Sequence, residues 1–230
     1  MDQEAIRRAV GTARERIARA AERSGRRAGE VTLMAVTKTL PIEYARAALA
    51  EGITVFGENR VQEAAEKWAS VPDGAELHLI GHLQRNKARL AASTFSWVQS
   101  VDKAETARAL SAACAAANRR CAVLLEVNTS GEGTKSGVGG REELAALLEA
   151  TAGLPALDLR GLMTVGPLTE DAARIRRAFA ELRSMAEEAR RSVPALEVLS
   201  MGMSGDYEIA VEEGSTLVRL GTALFGPRKA

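Results

Sequence analysis

The sequence predicts an α/β fold in which eight parallel strands close into a (β/α)8 TIM barrel. Strand-like and helix-like segments alternate along the 230 residues, and repeated βα units require a parallel sheet with right-handed crossovers. Eight such strands close most simply into a barrel, although a typical barrel of about 250 residues is slightly longer. The alternative is an open doubly wound sheet, but its G-x-G-x-x-G marker is missing after the first strand, which ends in Thr37-Lys38-Thr39-Leu40-Pro41.

Eight runs rich in apolar residues have the length of strands. The predicted strands are Val31–Thr37, Thr54–Gly57, Glu76–Gly81, Ser96–Val101, Cys121–Asn128, Leu159–Val165, Leu196–Met201 and Leu217–Gly221. Near-continuous apolar strands are typical of a parallel sheet covered on both faces, so helices are expected around the outside of the barrel.

Apolar residues at helical spacing fill the segments between these strands. The predicted helices are Pro41–Ala50, Val61–Ala69, Arg85–Ala92, Lys103–Arg119, Arg141–Ala150, Asp171–Arg191 and Gly205–Glu213. Pro41 is expected in the first turn of its helix, where proline is tolerated. Asp102 and Thr169 are expected to be the N-caps of the fourth and sixth of these helices.

The two ends of the chain decide how the barrel is covered. Only Thr222–Ala230 follow the last strand, which is too short for a full eighth helix. An N-terminal helix, roughly Asp2–Ser24, is expected to cover that face instead. Because no linker, repeat or low-complexity segment interrupts the chain, residues 1–230 are predicted to form a single domain.

Composition argues against several classes of protein. The net charge is +1 and aromatic residues make up 3% of the chain, so the sequence lacks both the basic face and the stacking platforms of nucleic-acid binding proteins. No apolar run is long enough to span a membrane, and the charged N-terminus is unlike a secretory signal. We therefore expect a soluble, cytoplasmic protein. Cys114 and Cys121 are expected to be small buried hydrophobes, and the two histidines show no metal-ligand spacing.

Lys38 is an unusual residue to find at the end of a buried strand. An amine held in a partly dry pocket becomes a nucleophile for carbonyl groups, so Lys38 predicts Schiff-base chemistry with an aldehyde cofactor as the first candidate. The alternative is a side chain that extends from the strand end into solvent. Lys67 lies in an amphipathic helical stretch and is expected to be solvated.

The last two strand ends predict a phosphate site. In such barrels the active site lies at the carboxyl ends of the strands, and the loops after strands seven and eight often bind phosphate. The segments Ser200-Met201-Gly202-Met203-Ser204 and Gly221-Thr222 supply hydroxyls, backbone N–H groups and a helix N-terminus. An ordinary glycine–serine turn with a helix cap is the alternative.

Arg219, at the end of the last strand, needs an acceptor because its guanidinium stays charged. One candidate is a pyridine nitrogen, which the arginine would keep unprotonated. The alternative is a salt bridge with Glu58, Glu212 or Glu213.

Lys135 and His82 each allow two interpretations. Lys135, in a glycine-rich loop, either approaches a ligand or is solvated. His82 either stacks over a ring or caps the helix that starts near Gln84.

Seven motifs resemble, in order and spacing, the pyridoxal phosphate homeostasis proteins, which look like the alanine racemase N-terminal domain standing alone. They are Val36-Thr37-Lys38-Thr39, Phe56-Gly57-Glu58-Asn59-Arg60-Val61-Gln62-Glu63, His78-Leu79-Ile80-Gly81-His82-Leu83-Gln84-Arg85-Asn86-Lys87, Asn128-Thr129 with Lys135-Ser136-Gly137, Gly161-Leu162-Met163-Thr164, Leu199-Ser200-Met201-Gly202-Met203-Ser204-Gly205-Asp206, and Val218-Arg219-Leu220-Gly221-Thr222-Ala223-Leu224-Phe225-Gly226. One minor departure is Asn59-Arg60, where some members carry Asn-Tyr.

The resemblance implies a barrel of the alanine racemase N-terminal type with pyridoxal 5′-phosphate (PLP) held as a Schiff base on Lys38. It implies phosphate contacts from residues after strands seven and eight, Arg219 at the pyridine nitrogen, and Asn59 near the cofactor. The implied contacts are Lys38, Asn59, Ser200, Met201, Ser204, Arg219, Gly221 and Thr222.

The resemblance also implies a role in PLP homeostasis, that is, buffering the cofactor and delivering it inside the cell, with PLP-dependent apo-enzymes as candidate recipients. No robust enzymatic reaction is expected. Related racemases place a second base, a tyrosine, in an additional β-domain that this sequence lacks; it has only Tyr44 and Tyr207. For the same reason a monomer is expected. The alternatives are a low-activity amino-acid racemase that uses Lys38 as one base, and a cofactor-free Schiff-base enzyme of the aldolase type.

Overall fold

In the computed structural model, which describes residues 2–69 and 72–227, the chain folds into a closed barrel of eight parallel strands in sequence order. The strands are β1 (Thr32–Val36), β2 (Val55–Glu58), β3 (Glu76–Leu79), β4 (Trp97–Val101), β5 (Cys121–Glu126), β6 (Leu157–Met163), β7 (Val198–Ser200) and β8 (Leu217–Leu220). Strand β8 closes the barrel by pairing with β1, with Leu217 opposite Thr32 and Leu220 opposite Ala35. The predicted (β/α)8 fold class is confirmed.

Helices connect the strands and cover the outside of the barrel. They are α1 (Gln3–Arg23), α2 (Ile42–Ala50), α3 (Val61–Lys67), α4 (Ala88–Thr94), α5 (Ala104–Ala116), α6 (Arg141–Ala152), α7 (Ala172–Ala189), α8 (Tyr207–Glu212) and α9 (Thr222–Phe225), with short 3-10 turns at Ala28–Glu30 and Arg85–Lys87. The predicted single domain of residues 1–230 also includes Met1 and residues 70–71 and 228–230, which lie outside the described residues.

All eight predicted strands are present, although several of their ends differ. The predicted strand Leu159–Val165 begins earlier, as β6, because its register pairs Leu157 with Cys121 at the start of β5. The predicted helix Arg85–Ala92 divides into the second 3-10 turn and α4. Existence and type of the elements are therefore confirmed, and their boundaries are corrected.

The predicted helix starts are wrong by one or two residues. Pro41 is the N-cap of α2 rather than a residue of its first turn, and Lys103 rather than Asp102 is the N-cap of α5. Helix α7 is capped by Asp171, whose carboxylate accepts hydrogen bonds of 2.9 and 3.1 Å from two backbone N–H groups of the first turn. The hydroxyl of Thr169 instead accepts from the backbone N–H of Asp171 at 3.2 Å, which positions the cap.

Helix α1 covers the face of the barrel beside β8, as predicted. Among the described residues, only the short helix α9 follows that strand. Helix α1 packs against α8 and α9, and α9 is a single turn. Apolar residues recur on one face of α1 at helical spacing; those buried are Ile6, Val10, Ala13, Ile17, Ala20 and Ala21. Arg26, just beyond α1, donates hydrogen bonds to the carbonyls of Val211 and Ser215 at 3.0 and 2.9 Å, so the N-terminal segment is fixed to the barrel by both packing and hydrogen bonds.

The hydrophobic core lies between the strands and the surrounding helices. Phe56, Phe95 and Phe179 are among its largest fully buried side chains. Cys114 and Cys121 are both buried free cysteines, which confirms their prediction as small core residues. Within the residues that the structure describes, no helix has the length and apolar character needed to cross a membrane.

Candidate functional site

A cavity of about 280 Å³ opens at the carboxyl ends of the barrel strands, beside β1 and β8. Its volume is close to the lower end of the roughly 300–1,000 Å³ found for small-molecule sites. Five of the eight predicted contact residues line it: Lys38, Ser204, Arg219, Gly221 and Thr222. The structure therefore brings the predicted nucleophile, the predicted arginine and the predicted phosphate loops to one place.

Larger cavities exist elsewhere, but their chemistry is different. One of about 600 Å³ lies at the amino-terminal ends of β1 and β2, and one of about 380 Å³ lies between α6 and α7. Neither lining includes a lysine. Because barrel enzymes and cofactor proteins use the carboxyl ends of the strands, we assign the candidate site to the cavity around Lys38.

Lys38 lies in a tight turn that follows β1 rather than within the strand itself. The predicted strand Val31–Thr37 ends at Val36, because the backbone N–H of Leu40 donates to the carbonyl of Thr37 at 3.0 Å and closes a turn. Thr39 has φ of +62°, which is a strained conformation for a β-branched residue. Strained backbone of this kind is often found at functional sites, and here it directs half-buried Lys38 toward the cavity.

Lys67 holds this turn in place, so the prediction that Lys67 is solvated is wrong. Its ammonium donates to the carbonyls of Thr37 and Leu40 at 2.7 and 3.0 Å, and it lies 2.5 Å from a carboxylate oxygen of Glu58. The side chain is only 14% exposed. All three ammonium protons therefore have acceptors. Amphipathic spacing alone could not find this role, although a glutamate at a buried strand end was a signal that a cation must lie nearby.

Glu58 is the acceptor at the centre of the same cluster. Its Oε1 accepts from the hydroxyl of Thr37 at 2.6 Å and from the indole N–H of Trp68 at 3.1 Å, in addition to its contact with Lys67. With its side chain 2% exposed, the carboxylate is buried but fully compensated. We refer to Thr37, Glu58, Lys67 and Trp68 as the turn clamp.

Arg219 is buried and does not form the predicted alternative salt bridges. Its Nη1 donates to the hydroxyl of Ser200 at 2.6 Å and its Nη2 donates to the carbonyl of Thr164 at 2.7 Å. Glu212 and Glu213 instead pair with the arginines of α1 and α7 on the outside of the barrel. Burial lowers the pKa of Arg219 to about 10, so the guanidinium stays charged at neutral pH while both of its protein partners are neutral oxygens.

The loop after β7 approaches the start of α9 closely. Gly202 has φ of +96° and lies so near α8 that a Cβ atom there would be 2.5 Å from the Cβ of Ala210, so only glycine fits. The hydroxyl of Ser204 accepts from the backbone N–H groups of Gly221 and Ala223 at 3.3 and 3.1 Å. Because a hydroxyl with both lone pairs engaged still carries a proton, Ser204 can donate to an anion in the cavity.

The other three predicted contacts do not line the cavity. Met201 is buried in the core, and its backbone N–H donates to the carbonyl of Leu217 at 3.2 Å. Ser200 is fully buried below Arg219. Asn59 is half-buried after β2, where its carbonyl lies against Gly81 so closely that a Cβ at position 81 would be 2.2 Å away. The cofactor contacts of Met201, Ser200 and Asn59 therefore stay predictions.

Lys135 and His82 have structural partners. The ammonium of Lys135 donates to the carbonyl of Gly166 at 2.7 Å and to Glu132 at 3.0 Å, so it ties the loop after β5 to the loop after β6. The Nδ1 atom of His82 lies 3.8 Å from a carboxylate oxygen of Asp102. The 3-10 turn at Gln84 has no side-chain cap, so the predicted capping role of His82 is wrong.

Acidic groups also lie near the barrel mouth. Burial raises the pKa of Glu126 to about 7, the charge of Asp102 adds to the rise, and the charge of Arg219 opposes it. The second carboxylate oxygen of Asp102 is buried and has no hydrogen-bond partner among the described residues. Tyr44 packs against Phe225 and the phenol of Tyr207 faces Arg16 of α1, so among the described residues no tyrosine lines the cavity.

Comparison with known proteins places this site in a family. Residues 12–229 match the model of the family described as alanine racemase, N-terminal domain. A pyridoxal phosphate homeostasis protein of Pseudomonas aeruginosa is 46% identical over 214 residues, which are 93% of this chain and 91% of the relative.

Two solved structures have the same architecture. A crystal structure of an unknown protein from Bifidobacterium adolescentis superimposes with a TM-score of 0.92 at 36% identity, covering 98% of this chain and 97% of the other. The structure of PipY from Synechococcus elongatus with PLP bound has a TM-score of 0.79 at 39% identity, covering 91% of this chain and 100% of PipY. The chain therefore belongs to the alanine racemase N-terminal domain family and, within it, to the pyridoxal phosphate homeostasis proteins.

Proposed function

We propose that this protein binds PLP as a Schiff base on Lys38 and serves to buffer the cofactor and deliver it within the cell. The observation that carries the proposal is the single cavity that brings together the amine of Lys38, the guanidinium of Arg219 and the hydroxyl of Ser204. An aldehyde, a pyridine nitrogen and a phosphate are the three groups that these side chains suit.

The donor set fits PLP group by group. Lys38 is the amine for the aldehyde, which when bound supplies an electrophilic centre. Arg219 has two N–H groups engaged with neutral oxygens and five in all, so others are available to an acceptor in the cavity. Ser204, Gly221 and Thr222 suit the phosphate.

Relatives support the same ligand. The structure of PipY contains PLP, and the P. aeruginosa relative carries the name pyridoxal phosphate homeostasis protein. Both are well above the level of identity at which only the fold is shared, and this chain spans nearly their full length.

The proposed role is binding rather than turnover. Racemisation requires a base on each face of the substrate α-carbon, and among the described residues the cavity offers Lys38 but no tyrosine. Arg219 is charged and cannot protonate a pyridine nitrogen readily, so the bound cofactor would be a weak electron sink. We expect incubation with L- or D-alanine to leave the enantiomer ratio unchanged. Substantial racemisation that disappears in Lys38→Ala would establish the racemase alternative instead.

Binding is tested by titration of ligand-free protein with PLP, followed by absorbance in the visible range. The wild type is expected to develop the band of a Schiff base, and Lys38→Ala is expected to lose it. Lys103→Ala is the matched control, because Lys103 is exposed at the start of α5. A wild type that stays colourless would favour the aldolase-type alternative.

Delivery, oligomeric state and location are further parts of the proposal. Transfer to a PLP-dependent apo-enzyme is tested by the recovery of its activity when loaded protein replaces free PLP at equal concentration. A monomer and a cytoplasmic location are proposed as well. Light scattering after size-exclusion chromatography tests the first, and cell fractionation tests the second.

A further inference from the structure

A chain of hydrogen-bonded side chains runs through the interior of the barrel from the candidate site to the opposite end. Arg219 donates to Ser200 at 2.6 Å, and Ser200 donates to Oε1 of Gln99 at 2.7 Å. The amide nitrogen of Gln99 lies 2.8 Å from Nδ1 of His78, and Nε2 of His78 lies 2.6 Å from Glu76. We call these four residues below Arg219 (Ser200, Gln99, His78 and Glu76) the interior chain.

One arrangement of protons satisfies every link of the interior chain. A guanidinium only donates, so the hydroxyl of Ser200 accepts from it and directs its own proton to the amide oxygen of Gln99. The amide nitrogen of Gln99 then donates to Nδ1 of His78, which leaves the histidine neutral with its proton on Nε2. That proton is donated to the carboxylate of Glu76. All four hydrogen bonds therefore point from the buried cation toward the distant anion.

The reverse orientation of the Gln99 amide is unfavourable. It would place the amide oxygen against Nδ1 of His78 and so require a histidine protonated on both nitrogens. His78 is 1% exposed and its pKa is lowered by burial, which favours the neutral ring. Its plane is also fixed, because it stacks on Trp97 with the ring centroids 4.9 Å apart and an angle of 9° between the planes.

The interior chain adds to the compensation of the buried charge of Arg219, on which the charges of Asp206 and Glu126 also act, although no carboxylate among the described residues forms a hydrogen bond with it. Arg219 is 3% exposed and Gln99 and Ser200 are fully buried, whereas the side chain of Glu76 at the start of β3 is 45% exposed. Burial of an uncompensated cation is unfavourable, and aligned hydrogen bonds in a medium of low dielectric constant polarise one another. The partly solvated carboxylate of Glu76 thus acts on Arg219 through three neutral side chains.

We propose that Glu76, His78 and Gln99 are positioning residues that fix the orientation of Arg219 from below and leave its remaining N–H groups directed into the cavity. What Arg219 contacts there rests on the proposed function. Barrel interiors are usually filled with branched apolar side chains, and replacing a complete buried polar set with well-packed apolar residues is often neutral or stabilising. Side chains that only filled the barrel interior would not need to be polar or to form hydrogen bonds that all point in one direction.

The first test determines the protonation of His78 in the interior chain, in ligand-free protein, by nitrogen NMR of labelled histidines. The sequence has two histidines, so a His82→Asn variant shows His78 alone. We expect a neutral ring with its proton on Nε2, and we expect Arg219→Met to shift both ring-nitrogen signals of His78. Arg141→Met, on the outer surface of α6, is the control. A His78 ring that carries its proton on Nδ1, or that does not respond to Arg219→Met, would overturn the proposal.

The second test measures affinity for PLP. Gln99→Leu keeps a side chain of similar size but interrupts the interior chain, and we expect the dissociation constant to rise about tenfold. The melting temperature should fall, because the hydroxyl of Ser200 and Nδ1 of His78 lose their buried partner. The control is Thr106→Val, which replaces a buried polar residue of α5 with an apolar one and does not belong to the interior chain. An unchanged dissociation constant in Gln99→Leu would show that the interior chain does not position Arg219.

A variant at the exposed end guards against misfolding of Gln99→Leu. Glu76→Gln keeps an acceptor for His78 but removes the charge, and we expect a smaller rise in the dissociation constant, about threefold, because a charge-assisted hydrogen bond becomes neutral. Glu197→Gln, exposed before β7, is the control, and equal dissociation constants for the two variants would contradict the proposal. If the wild type does not bind PLP, the proposed function fails, but the NMR test in ligand-free protein still decides the interior chain.

Discussion

The two halves of the candidate site are held by different physical means. On the β1 side, Lys67 forms a buried ion pair with Glu58 and donates hydrogen bonds to the backbone of the turn that carries Lys38. On the β8 side, Arg219 is held by neutral oxygens, one of them the hydroxyl of Ser200. One half therefore compensates its charges locally, and the other leaves a positive charge available.

This difference indicates that the two halves of the site have different roles. A turn that presents an amine needs a fixed backbone. A compact ion pair in which the ammonium of Lys67 donates three contacts and the carboxylate of Glu58 accepts three fixes it independently of any ligand. An arginine that must meet a ligand acceptor would lose much of its attraction if a carboxylate were in direct contact. The turn clamp and the interior chain should accordingly be separable by mutation, which the following predictions use, from the largest expected effect to the smallest.

Breaking the turn clamp should have the largest effect on stability. Lys67→Met leaves the carboxylate of Glu58 buried without a cation, and we expect the free energy of unfolding to fall by about 3–5 kcal/mol, as for other broken buried pairs. Urea denaturation measures it. Lys103→Met, an exposed lysine, is the control and should change stability by less than about 0.5 kcal/mol. A loss of under about 1 kcal/mol in Lys67→Met would mean that the clamp is not a buried ion pair in solution.

The half of the site around Arg219 should respond to pH through Glu126, which lies at the end of β5 and is coupled to Arg219 by charge. Burial raises its pKa to about 7 from an ordinary value of 4.5, so the folded protein keeps a proton that the unfolded chain has already lost. The free energy of unfolding should therefore fall as pH rises from about 4.5 to 7, by on the order of 3 kcal/mol.

A neutral residue at this position should remove that part of the pH dependence. The difference in unfolding free energy between pH 4.5 and pH 8 should be smaller in Glu126→Gln by a similar amount, and Glu142→Gln on exposed α6 should behave like the wild type. Identical pH profiles for the wild type and Glu126→Gln would show that Glu126 titrates normally.

A double-mutant cycle should show that the two halves are independent. Within the clamp, Glu58→Gln should offset part of the loss caused by Lys67→Met, with a coupling energy of about 1–3 kcal/mol. Across the halves, Lys67→Met and Gln99→Leu should be additive to within about 0.5 kcal/mol. A large coupling across the halves would contradict the view that they are held separately.

The smallest effect is expected from the strained residue in the turn. Thr39 has positive φ, a conformation that glycine adopts without steric penalty, so Thr39→Gly should raise the unfolding free energy by about 0.5 kcal/mol. Thr32→Gly, in β1 with ordinary strand geometry, should lower it by about 0.5–1 kcal/mol. If both variants lose stability equally, the turn is not strained.

The sequence predicted the fold well because alternation of strands and helices is a strong signal. The position of Lys38 at a strand end and of Ser204 and Gly221 after β7 and β8 follows from strand order alone, since parallel strands in a barrel converge their carboxyl ends. The inward direction of Lys67 could not be predicted in the same way. Helical spacing marks a polar face, but it does not show which polar side chain on that face turns back to a neighbouring loop.

The interior chain was missed for a related reason. Glu76, His78 and Gln99 lie within runs that read as strands, and apolar content was the signal used to find those runs. A side chain inside the barrel meets partners on strands far away in sequence, such as Ser200 and Gln99, which are 101 residues apart. Pairings of this kind depend on barrel register, which sequence periodicity does not supply.

The central claim is that Lys38 carries the cofactor, and borohydride reduction after incubation with PLP tests it most directly. Peptide mass mapping of the reduced protein should show a phosphopyridoxyl group on the peptide that contains Lys38, and Lys38→Ala should show none on the corresponding peptide. Modification chiefly at Lys103 or another exposed lysine, or no modification at all, would contradict the assignment of the cavity beside β1 and β8 as the PLP site.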